Sequence, residues 1–323
     1  MGIQVLMCNA KQLKTDLSMN NMAIRCEKSD SKTGKAIALK YLTLLCLLLC
    51  SACQDVIDVT LQNDQPRLVV EGIIERKAGE RDSAFQRIKL TRSIGFFDGV
   101  RPPLVRDAEV RVISSDGRQW RLNFSERDSA FVTNNLVVQE KVGYKLQIQY
   151  NGDIYETGFD SARRGGTLDS VYARPRRTSP FDTTRGLTIA ADFTDPADVT
   201  NFYFIKLFKN GRDVLEIRPG NQFATVRADK FFNGETLRGL EPQSNIVFQP
   251  GDTALVKVIS IGESLYEYLR ALFIQTQGGG GGTFNPPPAP IRSNVRNISN
   301  PDRFPLGYFG VGWTSQRTLI VRE

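Results

Sequence analysis

Apolar and polar side chains swap at every step through Tyr144-Lys145-Leu146-Gln147-Ile148-Gln149-Tyr150, the period of a strand with one buried and one wet face. Ala108-Glu109-Val110-Arg111-Val112 alternates in the same way. Asp116-Gly117 just beyond it signals a hairpin turn into Trp120-Arg121-Leu122, and Asn151-Gly152 turns the next pair. Leu68-Val69-Val70 is apolar throughout, as in a strand buried on both faces. Residues 66–160 therefore predict a small antiparallel sandwich.

A second β domain is expected over 167–323, with strands at 187–193, 202–208, 254–261 and 318–322 and a hairpin turn at Asn210-Gly211. The small, basic run Ser161-Ala162-Arg163-Arg164-Gly165-Gly166 has no period and marks the boundary. One helix, about 262–277, interrupts this half. Ser260 and Glu263 stand at capping-box spacing, Leu265, Tyr268, Leu269, Leu272 and Phe273 share a face, and Gly278 ends it. That stripe reads as core rather than as a partner surface. Residues 278–290 join five glycines to a proline-rich stretch and read as an exposed loop. The fold class is mostly β: two antiparallel, Ig-like sandwiches, the second with an inserted helix.

The leader changes the picture. Residues 41–52 form an apolar run behind a lysine flank that closes on Ser51-Ala52-Cys53. The run is too short to cross a bilayer, which takes about 20 helical residues. Small residues before a cysteine at the end of such a run describe a bacterial lipoprotein signal. Cleavage after Ser51 and Ala52 would remove 1–52 and leave Cys53 to receive a diacylglyceryl group and a further acyl chain such as palmitate, with 53–65 as tether. Two or more chains make a stable anchor. Leu49 makes Cys50 the poorer alternative. All five cysteines lie at or before position 53, so no disulfide framework and no cysteine metal site is expected beyond the anchor.

Charge and composition narrow the functions. The chain has 323 residues and a formal net charge of +7, but the segment through Cys53 holds seven of its 42 basic residues and three of its 35 acidic ones. The remainder is close to balanced, which removes the main compositional argument for nucleic acid. There is no histidine, so Ser-His-Asp and Cys-His catalysis are excluded, as is the commonest transition-metal ligand. No cofactor, no metal and no enzymatic activity are expected.

Three groups of residues then resemble one family. They are Cys53-Gln54-Asp55-Val56-Ile57-Asp58-Val59, Pro66-Arg67-Leu68-Val69-Val70-Glu71-Gly72, and Gly307-Tyr308-Phe309-Gly310-Val311. Asp195-Pro196, Asn201-Phe202-Tyr203 and Tyr266-Glu267-Tyr268-Leu269 fall between them in the family's order. Together they resemble the Bacteroidetes outer-membrane lipoproteins grouped as domain of unknown function 4249. The resemblance implies a lipid-anchored protein, often encoded beside a TonB-dependent receptor, that acts as a binding or accessory subunit in nutrient uptake. It brings no catalytic residues. Gln54 and Asp55 resemble a surface-sorting signal, which favours the cell surface over the periplasmic face.

Other positions admit a functional and a plain reading. Ser83, Ser129, Ser161, Ser170, Thr183 and Thr253 each follow an aspartate and resemble O-glycosylation acceptors of the same bacteria; such pairs are also ordinary turn formers. Arg163, Arg164, Arg176 and Arg177, with Arg174 and Arg185 nearby, could contact an anion or form a solvated face. Asp192, Asp195 and Asp198 lack calcium-loop spacing, and Asp195-Pro196 reads as a turn. Phe96, Phe97 and Trp313 could stack on a ligand but suit a core equally. Two further readings stay open: a structural envelope protein that binds a β-barrel without a small ligand, and a carboxylate-based glycoside hydrolase.

Overall fold

The computed structural model describes residues 65–79, 85–95, 101–176, 184–197, 199–215, 226–242, 246–277 and 291–322. Eight strands build the first half: β1 (Leu68–Lys77), β2 (Gln86–Arg92), β3 (Glu109–Ser114), β4 (Gln119–Ser125), β5 (Ala130–Thr133), β6 (Gly143–Tyr150), β7 (Asp153–Thr157) and β8 (Asp160–Ser161). The second half runs β9 (Thr167–Pro175), β10 (Leu187–Thr194), β11 (Phe202–Lys209), β12 (Arg212–Asp213), β13 (Val226–Ala228), β14 (Thr236–Leu240) and β15 (Thr253–Ile261). Helix α1 (Glu263–Gln277), β16 (Val295–Asn297) and β17 (Leu306–Ile320) follow. The protein is mostly β, with sandwich-like sheets and one helix among the described residues.

Alternation becomes burial where it was clearest. Tyr144, Leu146 and Ile148 of β6 and Val110 and Val112 of β3 enter one core with Val70, Ile74, Ile88 and Leu90. The Asn-Gly turns have the positive φ pair that a tight hairpin needs, at Asn151 and Gly152 and again at Asn210 and Gly211. A second core gathers Ile189, Phe193, Tyr203, Leu207, Phe248 and Val256. Each buried leucine-sized side chain contributes about 1.5–3 kcal/mol.

The division into 66–160 and 167–323 needs correction, because the chain returns. β16 adds to β7 at the edge of the first sandwich, and β17 is shared by both. From Leu306 to Thr314, β17 runs parallel to β1; from Trp313 to Ile320, it runs antiparallel to β15. Val295, Phe309 and Val311 thus complete the first core from the far end of the sequence. The strand expected at 318–322 is only the tail of this long one. Through it, one hydrogen-bonded path links β12-β11-β15-β17-β1-β2-β5-β4-β3-β6-β7-β16, while β14-β10-β9 closes the second sandwich. The boundary run 161–166 is also packed: Gly165 and Gly166 are buried, and a Cβ on Gly166 would stand 2.2 Å from the Phe193 ring.

Helix α1 lies on the outer face of the shared sheet. Leu265 and Leu269 are buried against Phe204, Ile259 and Ile261, and the Tyr268 ring meets Tyr308 at 5.5 Å. Gly310 makes this seat, since a Cβ there would come within 2.4 Å of Leu265. The cap differs from expectation. The Gly262 carbonyl accepts the first helical bond from Tyr266 N–H, while Ser260 stays in β15 with its hydroxyl buried and unpaired. Glu263 in the first turn complements the helix dipole. Gly278, the expected stop, lies outside the described residues.

Candidate binding groove

Beside α1, the outer face of the shared sheet holds a groove of about 740 Å³. Its floor is made by the outward-facing positions of six strands. Glu71, Ile73, Glu75 and Lys77 come from β1, Arg87 and Lys89 from β2, and Tyr308 from β17. Lys257 and Ile259 of β15, Phe204, Lys206 and Phe208 of β11, and Arg212 and Asp213 of β12 complete it. Each of these positions faces away from the sandwich cores, so strand alternation alone puts them on one surface. Gly312 lets the Ile259 side chain pack onto β17, because a Cβ there would sit 2.4 Å from it.

Six basic and three acidic side chains line the groove. The carboxylates are each held by a lysine: Glu71 by Lys89 at 3.6 Å, Glu75 by Lys257 at 3.3 Å, and Asp213 by Lys206 at 3.2 Å. The Thr314 hydroxyl also donates to Glu75 at 2.8 Å. Arg212 is exposed, and Arg87 gives one N–H to the Asp128 carbonyl at 3.0 Å while keeping its other donors. Burial pushes the Tyr308 and Tyr268 phenols up, and the Glu71 charge adds to both. Both stay neutral hydroxyls at neutral pH. The surface is therefore fixed, mixed in charge and positive on balance, with aromatic and aliphatic side chains between the charges.

A second polar cluster sits inside the second sandwich. Asp195 is 2 % exposed; it accepts the Tyr203 hydroxyl and the Gly234 N–H, the latter at 3.0 Å. Tyr203 in turn accepts the Gly166 N–H at 3.1 Å. Desolvation raises the Asp195 pKa against the pull of these donors, with the nearby Asp229 carboxylate adding to the rise. Asp229 is itself buried and accepts the Asn201 N–H at 2.6 Å. These groups tie Asp195 to Gly234 and Asn201 to Asp229 and are closed to a ligand.

The sequence candidates fall in several places. Cys53, Ser51, Ala52, Gln54, Asp55, Ser83, Phe96, Phe97, Arg177, Thr183 and Asp198 lie outside the described residues. The arginines are not brought together. Arg163 and Arg164 precede β9, and Arg176 follows it, so about 26 Å of strand separates them. Arg163 stands 3.8 Å from Asp160, and Arg176 donates to the Thr184 carbonyl at 2.9 Å. Ser129 occupies a turn at φ 49°, Ser161 is in β8, and Thr253 opens β15. Ser170 lies within β9 and donates to Asp192 at 3.0 Å. Trp313 is half-buried under the Arg76 guanidinium, 5.2 Å from the ring centre. Asp192 and Asp195 do not share a site; each holds its own strand or turn. Among the described residues no three histidine, cysteine, aspartate or glutamate side chains gather as metal ligands. No helix among them is long and apolar enough to cross a membrane.

The groove was missed in the sequence, although its signal was there: charges of both signs at the wet positions of β1, β2, β11 and β15. Fold and groove together define a two-sandwich β protein whose shared sheet presents a charged outer surface. The family model described as Domain of unknown function (DUF4249) matches residues 54–318, and the chain belongs to that family. No curated protein matches it. Among solved structures it is similar to a two-domain fibronectin type-III segment from chicken tenascin, at 13 % identity over 61 % of this chain and 91 % of that one, with a TM-score of 0.18.

Proposed function

We propose that this protein is a lipid-anchored, non-catalytic binding subunit of the outer membrane that serves a TonB-dependent receptor in nutrient uptake, with the groove as its contact surface. The observation that carries the reading is the apolar run closing on Ser51-Ala52-Cys53, a short tether ahead of β1. The groove supports a binding role. Glu71 and Glu75 lie on one face of β1 four residues apart, about 13 Å along the strand, and each already has a lysine partner. Glycoside hydrolysis places its carboxyl pair about 5–9.5 Å apart, a spacing that Glu71 and Glu75 exceed along the strand. Gln54 and Asp55 favour the cell surface.

Three results are expected. Cys53→Ala moves the protein from the membrane fraction to the soluble fraction, and retention of the variant at wild-type level rejects the anchor. Affinity capture of the native protein from mildly solubilised outer membranes recovers a TonB-dependent receptor in near-equal amount. Arg87→Glu with Arg212→Glu lowers that recovery about tenfold, while melting stays close to wild type because both side chains are exposed. Undiminished capture by the double variant removes the groove from the contact. Recovery of the lipoprotein alone, or with an assembly barrel, favours the structural envelope reading.

A further inference from the structure

The end of the first sandwich where the tether arrives carries two apolar side chains that folding leaves in water. Ile298 is 56 % exposed and Phe304 51 % exposed, on the 298–305 segment that leads from β16 to β17. This segment is tightly held. The buried Asn297 side chain accepts the N–H groups of Ser299 at 3.1 Å and Asn300 at 2.8 Å and donates to the Arg303 carbonyl at 3.2 Å. Ile298 N–H reaches the Ile154 carbonyl at 2.9 Å, and Ile154 N–H reaches the Ser299 hydroxyl at 3.0 Å. The two apolar chains are thus displayed from a clipped loop.

Guanidinium groups stand beside them. Arg67 lies over the Phe304 ring at 3.6 Å and donates to the carbonyls of Asp302 and Phe304. Arg303 reaches Asp153 at 3.6 Å with its side chain 59 % exposed. Aliphatic and aromatic tips next to arginines suit the boundary between headgroups and acyl chains: the tips enter the apolar layer and the guanidiniums meet phosphates.

Chain connectivity says what covers this end. Arg67 is the residue before β1, and Cys53 lies fourteen residues before Arg67 in the sequence. That length spans at most about 50 Å. The opposite end of β17, at Ile320, is about 45 Å farther along the strand from Leu306. A lipid on Cys53 would therefore be linked to the fold through the end that holds Arg67 and the 298–305 segment, not through the Ile320 end.

We propose that Ile298 and Phe304, flanked by Arg67 and Arg303, form the foot with which the first sandwich rests on the lipid surface. The proposal rests on the lipoprotein reading. Phe231 supplies the contrast. It is 90 % exposed on the turn after β13 in the second sandwich, and no tether leads to it.

The test uses the full lipidated chain in phosphatidylethanolamine and phosphatidylglycerol vesicles. The mature sequence has no thiol beyond Cys53, so Ile298→Cys, Phe304→Cys and Phe231→Cys each give one site for an environment-sensitive maleimide dye. At 298 and 304 the emission shifts to the blue and brominated acyl chains quench about half of it; at 231 the dye stays in water. Lipid on Cys53 with water-like emission at 304, or insertion at 231 instead, overturns the foot alone. An intact mass without acyl chains on Cys53 overturns the anchor reading and the foot with it. Melting of each labelled variant near wild type excludes local unfolding as the source of a shift.

Discussion

Gly307→Ala is expected to lower stability by about 4 kcal/mol or more, enough to threaten folding in a protein whose whole stability is about 5–15 kcal/mol. Two costs add at this position. Gly307 has φ of +90°, where a side chain is strained by about 1–3 kcal/mol. A Cβ there would also lie 1.9 Å from the Val70 carbonyl oxygen, a backbone atom of the parallel partner strand that cannot move without breaking the β1–β17 ladder. Two comparison variants separate these costs. Gly152→Ala, at φ +81° with nothing within 4 Å, isolates the backbone strain. Gly310→Ala lacks the positive φ and meets the tip of Leu265, a side chain that can yield by shifting α1. Thermal unfolding should order the variants with Gly307→Ala well below both, by about 8–16 °C from wild type. A melting point for Gly307→Ala no lower than that of Gly152→Ala would show that β17 does not press on β1 as described.

The same strand explains where sequence reading stopped. Hairpins were legible because their causes are local: Asn151-Gly152 and Asn210-Gly211 need only their own backbone angles. β6 and β3 were legible because each has one wet face. β17 was not, since Gly307, Gly310 and Gly312 break its alternation, and each is required by something distant in sequence: β1, the helix, and Ile259 of β15. The Gly307-Tyr308-Phe309-Gly310-Val311 motif carried the family resemblance without its reason. Phe309 and Val311 point into the first core, Tyr308 lines the groove, and the glycines admit the neighbours. β9 was absent from the expected strands because its alternation is weak, and only the run 161–166 ahead of it was read as a boundary. The groove needed the order of the sheet, which brings β2, β1, β17, β15 and β11 side by side. No single strand reveals that neighbourhood.

Because β17 belongs to both sandwiches, damage to either is expected to reach the other through one strand. The shared ladder also fixes the groove, whose walls come from opposite halves of the chain. A ligand bridging β2 and β12 would meet side chains positioned by five successive strand pairings rather than by a hinge.

Asp195 is where a turn residue became a structural centre, and its substitutions should separate its geometry from its charge. Asp195→Ala leaves the Tyr203 hydroxyl and the Gly234 N–H without an acceptor in a dry interior, at about 1–3 kcal/mol for each orphaned donor. A loss near 3 kcal/mol, or about 6–12 °C in melting temperature, is expected. Asp195→Asn keeps an acceptor oxygen and should cost less. The charge then gives a sign. Desolvation raises the folded-state pKa above the ordinary value of 3.8, so the native state holds its proton longer than the unfolded chain does. Stability from this group is highest below the unfolded pKa and falls as pH rises through the folded one. Asp195→Asn cannot titrate and loses nothing over that window. Urea unfolding at pH 3 and pH 7 should therefore show wild type gaining on Asp195→Asn at the lower pH. Adding Tyr203→Phe to Asp195→Ala should cost less than the two single losses summed, by about 1–3 kcal/mol, because each variant alone strands the other's partner. Strict additivity in that cycle would mean that the two side chains are not joined in the folded protein.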